Sequence, residues 1–144
     1  MSFAAKRFEA FRVGDAETFA KTITDADIVL FAGLSGDMYP LHLDAEYAKR
    51  TRFGARIAHG MLSASLLSAV NAALLGTPGG IYVSQTVYFR APVYINDTLT
   101  ARAEIVEILP DRRRLRAHTT IHNHKGELVI DGESVVQKDE VEAG

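Results

Sequence analysis

The sequence predicts an α+β fold in which an antiparallel sheet of about five strands wraps around one long, buried helix. Residues 60–75 carry no charged side chain, and a helix that is apolar nearly all round is buried nearly all round. Residues 81–137 contain stretches rich in Val, Ile, Thr and Tyr, separated by short turns, as expected for consecutive strands. Such a sheet can supply the apolar surface that the helix needs.

Length and composition narrow the class of protein. The chain has 144 residues, the usual length of one domain, so we expect a single domain over residues 1–144. Its formal net charge of −2 argues against binding to nucleic acid through a large basic surface. Because the sequence has no cysteine, disulfides, thiolate metal sites and a cysteine nucleophile are excluded. The N-terminal residues lack the apolar core of a signal peptide, so we expect a cytoplasmic protein.

The first predicted elements are a strand and a short helix. Residues 16–22 form the candidate strand, which follows a turn at Gly14. Thr24 and Asp27 have the spacing of a capping box, with Asp in place of the usual Glu, and they predict the start of a helix. Glycines at positions 33 and 36 predict its end.

The next segment, residues 35–42, is polar and rich in turn-forming residues. Pro40 disfavours helical geometry at the preceding Tyr39, so we predict irregular backbone here. Asp44 then has the position of a cap for a second short helix that runs through Lys49.

Residues 57–89 contain no Asp, Glu, Lys or Arg, which raises the question of a membrane span. The segment 76–80, rich in Gly and Pro, divides this run, and a helix does not cross such a segment comfortably. The piece before it is shorter than the roughly 20 residues that a bilayer core requires. We therefore predict that residues 60–75 form a helix buried inside the protein.

The rest of the chain supplies the sheet. The predicted strands cover residues 81–89, 99–109, 113–123 and 127–137. Consecutive strands joined by tight turns favour an antiparallel meander of four strands. With the strand at 16–22, the predicted order of elements is β-α-β-β-β-β. A sheet that curls around a central helix is the hot-dog arrangement.

Asp37 and His42 form the first candidate site. A carboxylate and an imidazole in one rigid segment can converge on a water molecule or a substrate atom, and histidine titrates near neutral pH. The two residues are therefore a candidate pair for general acid and base catalysis. The alternative is a surface turn in which Asp37 is a cap and His42 has no function, and spacing alone favours that alternative.

His59 and Gly60 form the second candidate site, at the predicted start of the buried helix. The first N–H groups of a helix have no partner within it and lie at its positive end. They can hold a carbonyl oxygen that gains negative charge, and Gly60 would let a substrate approach the backbone closely. A glycine that merely starts a helix is an equally good interpretation of the sequence alone.

Three histidines near the C-terminus raise the question of a metal ion. His118, His122 and His124 have the same strand parity, on the face opposite to the apolar residues. They therefore point outward, and successive positions on one strand face lie too far apart to share a metal ion easily. The sequence predicts no metal site here.

For the arginines of the run 112–114 and the serines of the buried helix, a structural role is favoured over a functional one. The run 112–114 consists of arginines; a solvated hairpin tip is the favoured interpretation and phosphate binding the alternative. Ser63, Ser65 and Ser68 lie in the buried helix without the flanking glycines of a nucleophile elbow. We expect them to bond to helix carbonyls or to allow close packing.

Two segments together resemble a known family. Residues 36–42 (Gly-Asp-Met-Tyr-Pro-Leu-His) and 53–62 (Phe-Gly-Ala-Arg-Ile-Ala-His-Gly-Met-Leu) resemble the MaoC-like hydratases and dehydratases, most closely the (R)-specific enoyl-CoA hydratases. The resemblance extends over about residues 20–138 and includes residues 89–93 and 97–99. Two motifs in the right order and at the right separation are much more specific than either alone, so the acid–base interpretation becomes the favoured one.

The resemblance implies a hot-dog fold, usually a homodimer, that hydrates trans-2-enoyl-CoA reversibly to (R)-3-hydroxyacyl-CoA without a metal or other cofactor. It implies that Asp37 and His42 are the catalytic pair and that the backbone N–H of Gly60 holds the thioester carbonyl. Ser68 aligns with a serine associated with the active site of the family.

Tyr39 departs from the family pattern, which usually has Asn two residues after the catalytic Asp. A tyrosine ring is larger and more apolar than an amide. We expect the ring of Tyr39 to point inward and to shorten or reshape the acyl pocket. The alternative is an outward ring that forms a surface or dimer contact.

Two other functions remain open at this point. A hot-dog acyl-CoA thioesterase has the same fold and ligand but releases free thiol. A non-catalytic acyl-CoA binding module would not need the Asp–His pair. In each case the expected partners are an acyl-CoA and a second copy of the chain, with neither nucleic acid nor a membrane.

Overall fold

The computed structural model describes residues 3–142, and within this range a six-stranded antiparallel sheet packs against helices. The strands are β1 (Ala16–Thr22), β2 (Gly80–Gln85), β3 (Tyr88–Phe89), β4 (Thr98–Leu109), β5 (Arg114–Asn123) and β6 (Leu128–Lys138). The helices are α1 (Asp25–Ser35), α2 (Pro40–Leu43), α3 (Ala45–Lys49), α4 (Gly60–Ala64) and α5 (Leu66–Leu75). The predicted class, a hot-dog arrangement of sheet and helix, is confirmed.

The strands follow the order β1-β4-β5-β6-β2 across the sheet, and β3 also pairs with β6. The predicted four-stranded meander is wrong in part, because only β4, β5 and β6 follow one another and β2 lies on the far side of β6. The predicted strand 81–89 is divided, which gives six strands in the described range rather than about five. Near the division the chain passes so close to Gly132 of β6 that a Cβ there would lie 1.9 Å from the Thr86 carbonyl oxygen.

The buried helix is divided as well, at Ser65, into α4 and α5. The Ser65 hydroxyl donates to the Leu62 carbonyl at 2.6 Å, a type of bond that competes with the regular helical pattern. α5 packs mainly against β1 and β4, where the small residues Ala101 and Ala103 are fully buried and let the helix approach the sheet. No helix between residues 3 and 142 combines the length and the hydropathy of a membrane span.

A buried lysine holds the C-terminus of α5. Lys138 Nζ donates to the carbonyl oxygens of Leu75 at 2.7 Å and Gly76 at 2.9 Å, at the end where helix carbonyls lack partners of their own. Burial lowers the pKa of Lys138, and the charge of Lys6 lowers it further. The side chain fixes this end of the helix to β6.

The predicted capping box starts α1. Asp27 N–H donates to Thr24 Oγ1 at 3.2 Å, and Thr24 N–H donates to the Asp27 carboxylate at 2.9 Å. The helix ends at Gly36, whose φ of +82° is in the left-handed region that favours glycine. The next turn therefore begins at a fixed point in the chain.

The segment that follows is more regular than predicted. Irregular backbone was expected up to His42, but α2 begins at Pro40. Proline suits the first helical position because its ring pre-sets φ and its missing N–H would have no acceptor there. His42 consequently lies on a one-turn helix, and Asp37 lies on the turn before it. Asp44 caps α3 as predicted.

Candidate active site

A cavity of about 420 Å³ lies between the turn that carries Asp37, the start of α4 and the segment that follows β3. Its floor includes the buried residues His59 and Ser63, whereas Asp37 lies on its exposed rim. The same cavity is lined by His42 and Gly60. The two candidate sites of the sequence are therefore parts of one site.

His42 is held so that one ring nitrogen remains free. Its Nδ1 lies 2.8 Å from the carbonyl oxygen of Ile57, and because a carbonyl can only accept, Nδ1 carries the proton. In the neutral ring Nε2 then has a lone pair and no proton. This is the tautomer in which Nε2 can take a proton from water.

Arg56 is not among the candidate residues of the sequence analysis, but it fixes the backbone of His42. Its Nε donates to the His42 carbonyl at 2.6 Å, and its terminal nitrogen contacts the Asp25 carboxylate at 2.6 Å. The arginine thus ties α2 to the start of α1. The signal in the sequence is a single charged residue within the otherwise uncharged segment 53–62.

The turn orients the carboxylate of Asp37. Its Oδ1 accepts from the N–H of Tyr39 at 3.1 Å, and its own N–H donates to Ser35 Oγ at 3.2 Å. The backbone carbonyl of Asp37 accepts from His59 Nε2 at 2.9 Å. The second carboxylate oxygen has no hydrogen-bond partner in the described part of the chain and is available to a bound molecule.

His59 is 2% exposed, and its ring stacks on that of His42 with centroids 4.0 Å apart. Because the Asp37 carbonyl can only accept, His59 Nε2 carries a proton, and Nδ1 of the neutral ring is a bare acceptor. That Nδ1 is buried without a partner among residues 3–142. In this position His59 supports both the His42 ring and the Asp37 turn. Its part, with Gly60, in binding the substrate stays a prediction.

Asp37, His42 and His59 each offer a ligand atom within 4.8 Å of the others, close enough to consider a metal ion. The two rings are stacked with 30° between their planes, so their nitrogen lone pairs run side by side rather than converging. Tetrahedral coordination needs lone pairs that converge on one point. The arrangement fits proton transfer better than metal coordination.

Gly60 is the first residue of α4, so its N–H has no acceptor within the helix. The ring of Phe89 lies against it, and a Cβ on Gly60 would be only 2.7 Å from Cε1 of that ring. The sequence predicted that a glycine here allows close approach to the backbone. In the structure the approaching group is Phe89, which also lines the cavity. No such role was predicted for Phe89.

The serines of the buried helix occupy different environments. Ser65 bonds to a helix carbonyl as expected, and Ser68 lines a different cavity together with Tyr82. Ser63 belongs to the candidate site instead, because it is 1% exposed and lines the cavity. Its hydroxyl has no hydrogen-bond partner within the described residues. Its position one helical turn after His59, on the same face, is the signal that could have identified it.

Tyr39 is not among the residues that line the cavity. The residue is 55% exposed, and its hydroxyl lies 3.3 Å from that of Tyr47. This hydrogen bond raises the pKa of Tyr47. The structure thus has the outward orientation that was the alternative in the sequence, not the expected inward one.

The remaining candidates lie outside the cavity. His118 is exposed on β5 and pairs with Asp131 at 2.8 Å. At the hairpin tip, Arg113 pairs with Glu140 at 3.1 Å, and Arg114 bonds to a glutamine of β6. Two of the three successive arginines are therefore engaged by their own chain.

Comparison with known proteins identifies the family. The model of the MaoC like domain matches residues 12–127. An (R)-specific enoyl-CoA hydratase from Rhodospirillum rubrum is 46% identical over 129 residues, which cover 90% of this chain and 89% of that protein. A 3-hydroxybutyryl-CoA dehydratase from Methylorubrum extorquens is 45% identical over 130 residues, which cover 90% and 82%.

A solved structure agrees with this assignment. The unliganded R-hydratase from Pseudomonas aeruginosa superposes with a TM-score of 0.86 at 42% identity, covering 95% of this chain and 90% of that one. Sequence and fold therefore match the same group of proteins over nearly the whole chain. With its Asp–His cavity at the start of a buried helix, this chain belongs to the MaoC-like domain family.

Proposed function

We propose that the protein catalyses the reversible hydration of a trans-2-enoyl-CoA to an (R)-3-hydroxyacyl-CoA. The observation that carries this proposal is the cavity in which Asp37, the free Nε2 side of His42 and the start of α4 meet. Membership in the MaoC-like family, with relatives named as (R)-specific enoyl-CoA hydratases, supports it.

The reaction adds the oxygen of water to Cβ of the thioester and a proton to Cα. His42 Nε2 takes one proton from the water whose oxygen bonds to Cβ, while the π electrons of the Cα–Cβ double bond move toward the thioester carbonyl. Cα then takes one proton. Either His42 returns that proton while the free oxygen of Asp37 orients the water, or a protonated Asp37 gives it and recovers a proton from His42. Charge that develops on the thioester oxygen is stabilised by the N–H of Gly60. Water supplies every atom that is added and no redox step occurs, so we assign no cofactor.

The function is tested by incubation with crotonyl-CoA while enoyl absorbance and free thiol are both recorded. A hydratase removes the absorbance without releasing thiol. Release of thiol would indicate a thioesterase, and tight binding with neither signal would indicate a non-catalytic acyl-CoA module. Formation of the (R) isomer of 3-hydroxybutyryl-CoA completes the assignment.

We further propose that the protein acts as a homodimer. The edge strand β2 exposes Ile81 and Val83, and an unpaired edge with apolar side chains favours pairing with a second copy. Met38 and Phe89, beside the catalytic pair, are 60% and 55% exposed. A second copy that covers these residues would also shield Asp37 from bulk solvent. Such shielding favours proton transfer to a water molecule or substrate held in the cavity.

Sedimentation at micromolar concentration should therefore give a particle of twice the chain mass of 15.7 kDa. Val83→Lys, which places a charge on the exposed edge, should shift the population toward the single chain. A wild-type protein that sediments only at 15.7 kDa would contradict the dimer.

Replacing Tyr39 by Asn, the usual family residue, should leave the ranking of acyl chain lengths unchanged. The ring lies outside the cavity. The variant also keeps the backbone N–H of residue 39, which donates a hydrogen bond to the Asp37 carboxylate. Values of kcat/KM for short, medium and branched enoyl-CoAs, measured for both proteins, check this. A reordered ranking would show that the ring reaches the acyl group during the reaction.

A further inference from the structure

The cavity carries two cationic side chains that the proposed chemistry does not use. Arg52 and Arg90 line it, and both are exposed at its rim. Asp37 is the one carboxylate among the lining residues, and neither guanidinium forms an ion pair with an acid in the part of the chain that the structure describes. Two positive charges thus face a cavity in a chain whose formal net charge is −2.

Most other arginines have acceptors of their own. Those whose guanidinium groups bond to side chains or carbonyls of this chain are Arg12, Arg56, Arg102, Arg113, Arg114 and Arg116. An arginine that is not satisfied internally and that faces a cavity has all its N–H donors available to a ligand. The rim of this cavity therefore offers free guanidinium donors to an anionic group.

Each of these arginines lies beside an aromatic ring. The Cζ atom of Arg52 is 4.8 Å from the ring centroid of Phe53, and that of Arg90 is 5.2 Å from the ring centroid of Tyr88. Such cation–π contacts restrict the guanidinium plane while leaving its N–H edge free. Less conformational entropy is then lost when an anion binds.

The two arginines come from distant parts of the sequence, but their segments are joined. The hydroxyl of Tyr94 donates to the Phe53 carbonyl at 3.0 Å, and Ala58 N–H donates to the Val93 carbonyl at 2.7 Å. The N–H of Arg90 itself donates to a carbonyl of β6 at 2.8 Å. The rim is thus held by the same contacts that form the cavity.

We propose that Arg52 and Arg90 form a phosphate-binding subsite for the pantetheine-linked carrier of the acyl group. This inference rests on the proposed function, which requires a thioester substrate. The acyl group enters toward the apolar and buried Ala58 and Val93, so the polar carrier extends past the exposed rim. Guanidinium groups match phosphate oxygens by paired, charge-assisted hydrogen bonds. The phosphate belongs either to coenzyme A or to the phosphopantetheine arm of an acyl carrier protein.

The test compares crotonyl-CoA with crotonyl-pantetheine, which has the same reacting atoms and no phosphate. The wild-type protein should have a much higher kcat/KM for crotonyl-CoA. Arg52→Gln and Arg90→Gln should each reduce the ratio of the two kcat/KM values by about 10-fold or more, as expected for a hydrogen bond to a charged group. The loss should appear in KM rather than kcat, because the contact is remote from the reacting atoms.

Arg112→Gln is the matched control. Arg112 is exposed, lies at the hairpin tip away from the cavity and has no ion pair among the residues described. An equal loss in this variant would show general electrostatic attraction and would overturn the proposal. An unchanged ratio in the two cavity variants, or a wild-type protein that hydrates both substrates equally well, would overturn it while leaving the hydratase function intact.

A further arm identifies the source of the phosphate. If crotonyl-acyl carrier protein shows the same loss in the variants as crotonyl-CoA, the phosphate shared by both carriers is the one bound. If only crotonyl-CoA shows the loss, the subsite binds the phosphates of the nucleotide part of coenzyme A. If neither thioester is hydrated by the wild-type protein, the proposed function itself fails.

Discussion

Asp37→Asn and His42→Ala are each expected to reduce the rate of enoyl-CoA hydration by at least about 100-fold, the low end of the effect of general acid–base catalysis. Asp37→Asn removes the charge of the free oxygen while keeping an acceptor for the Tyr39 N–H. His42→Ala removes the unprotonated Nε2 that the Ile57 carbonyl selects. Steady-state turnover of crotonyl-CoA measures both effects.

The loss should be chemical rather than structural. Asp37 and His42 belong to the turn and the one-turn helix between α1 and α3, outside the main hydrophobic core. Both variants should therefore keep their thermal unfolding transition. His118→Ala and Asp131→Asn are matched controls, because this exposed His–Asp pair on the sheet is bonded at 2.8 Å but lies away from the cavity. Near-normal turnover of the best enoyl-CoA in either cavity variant would show that the mechanism is wrong.

Gly60→Ala is expected to reduce kcat/KM by about 10- to 100-fold, because small displacements at a reacting carbonyl and its donor have effects of that order. The new Cβ would lie 2.7 Å from Phe89 Cε1, so the ring must move. Both groups then crowd the N–H that is proposed to hold the thioester oxygen. The fold should persist, since alanine is a better helix former than glycine.

Gly33→Ala is the control for this substitution. Gly33 is also a helical glycine, but a Cβ there meets nothing within 4 Å. That variant should keep full activity and be slightly more stable. The double variant Gly60→Ala/Phe89→Leu, with a smaller side chain opposite the new methyl group, should recover part of the lost activity. Full activity in Gly60→Ala alone would remove the Gly60 N–H from the mechanism.

Local patterns in the sequence predicted much of the secondary structure. The strand over residues 16–22 and the capping box of Thr24 and Asp27 appear as expected, because both depend on residues within a few positions of one another. The strands that became β4, β5 and β6 were predicted to within about a residue, since alternation is strongest where one face is buried. The spacing of Asp37 and His42 alone favoured a surface turn, and only the resemblance of residues 36–42 and 53–62 to the MaoC-like family favoured an acid–base pair.

Long-range contacts decided the remaining features. The place of β2 beyond β6 depends on strand pairing that no local pattern encodes. The free Nε2 of His42 depends on the Ile57 carbonyl, and the crowding of Gly60 depends on a ring 29 positions later in the sequence.

The fold class, most elements and the residue types of an acid–base pair can be predicted from local patterns, because periodicity, caps and short motifs act over one or two turns of chain. Three features appear only in the folded chain: Ser63 rather than Ser68 lines the cavity, Tyr39 faces outward, and Arg52 and Arg90 line the same cavity. Each of these facts depends on which surfaces the packed helix and sheet bring together. Burial and contact between distant segments arise only when the core is assembled. A local sequence pattern describes one of the two contacting segments and does not identify the other.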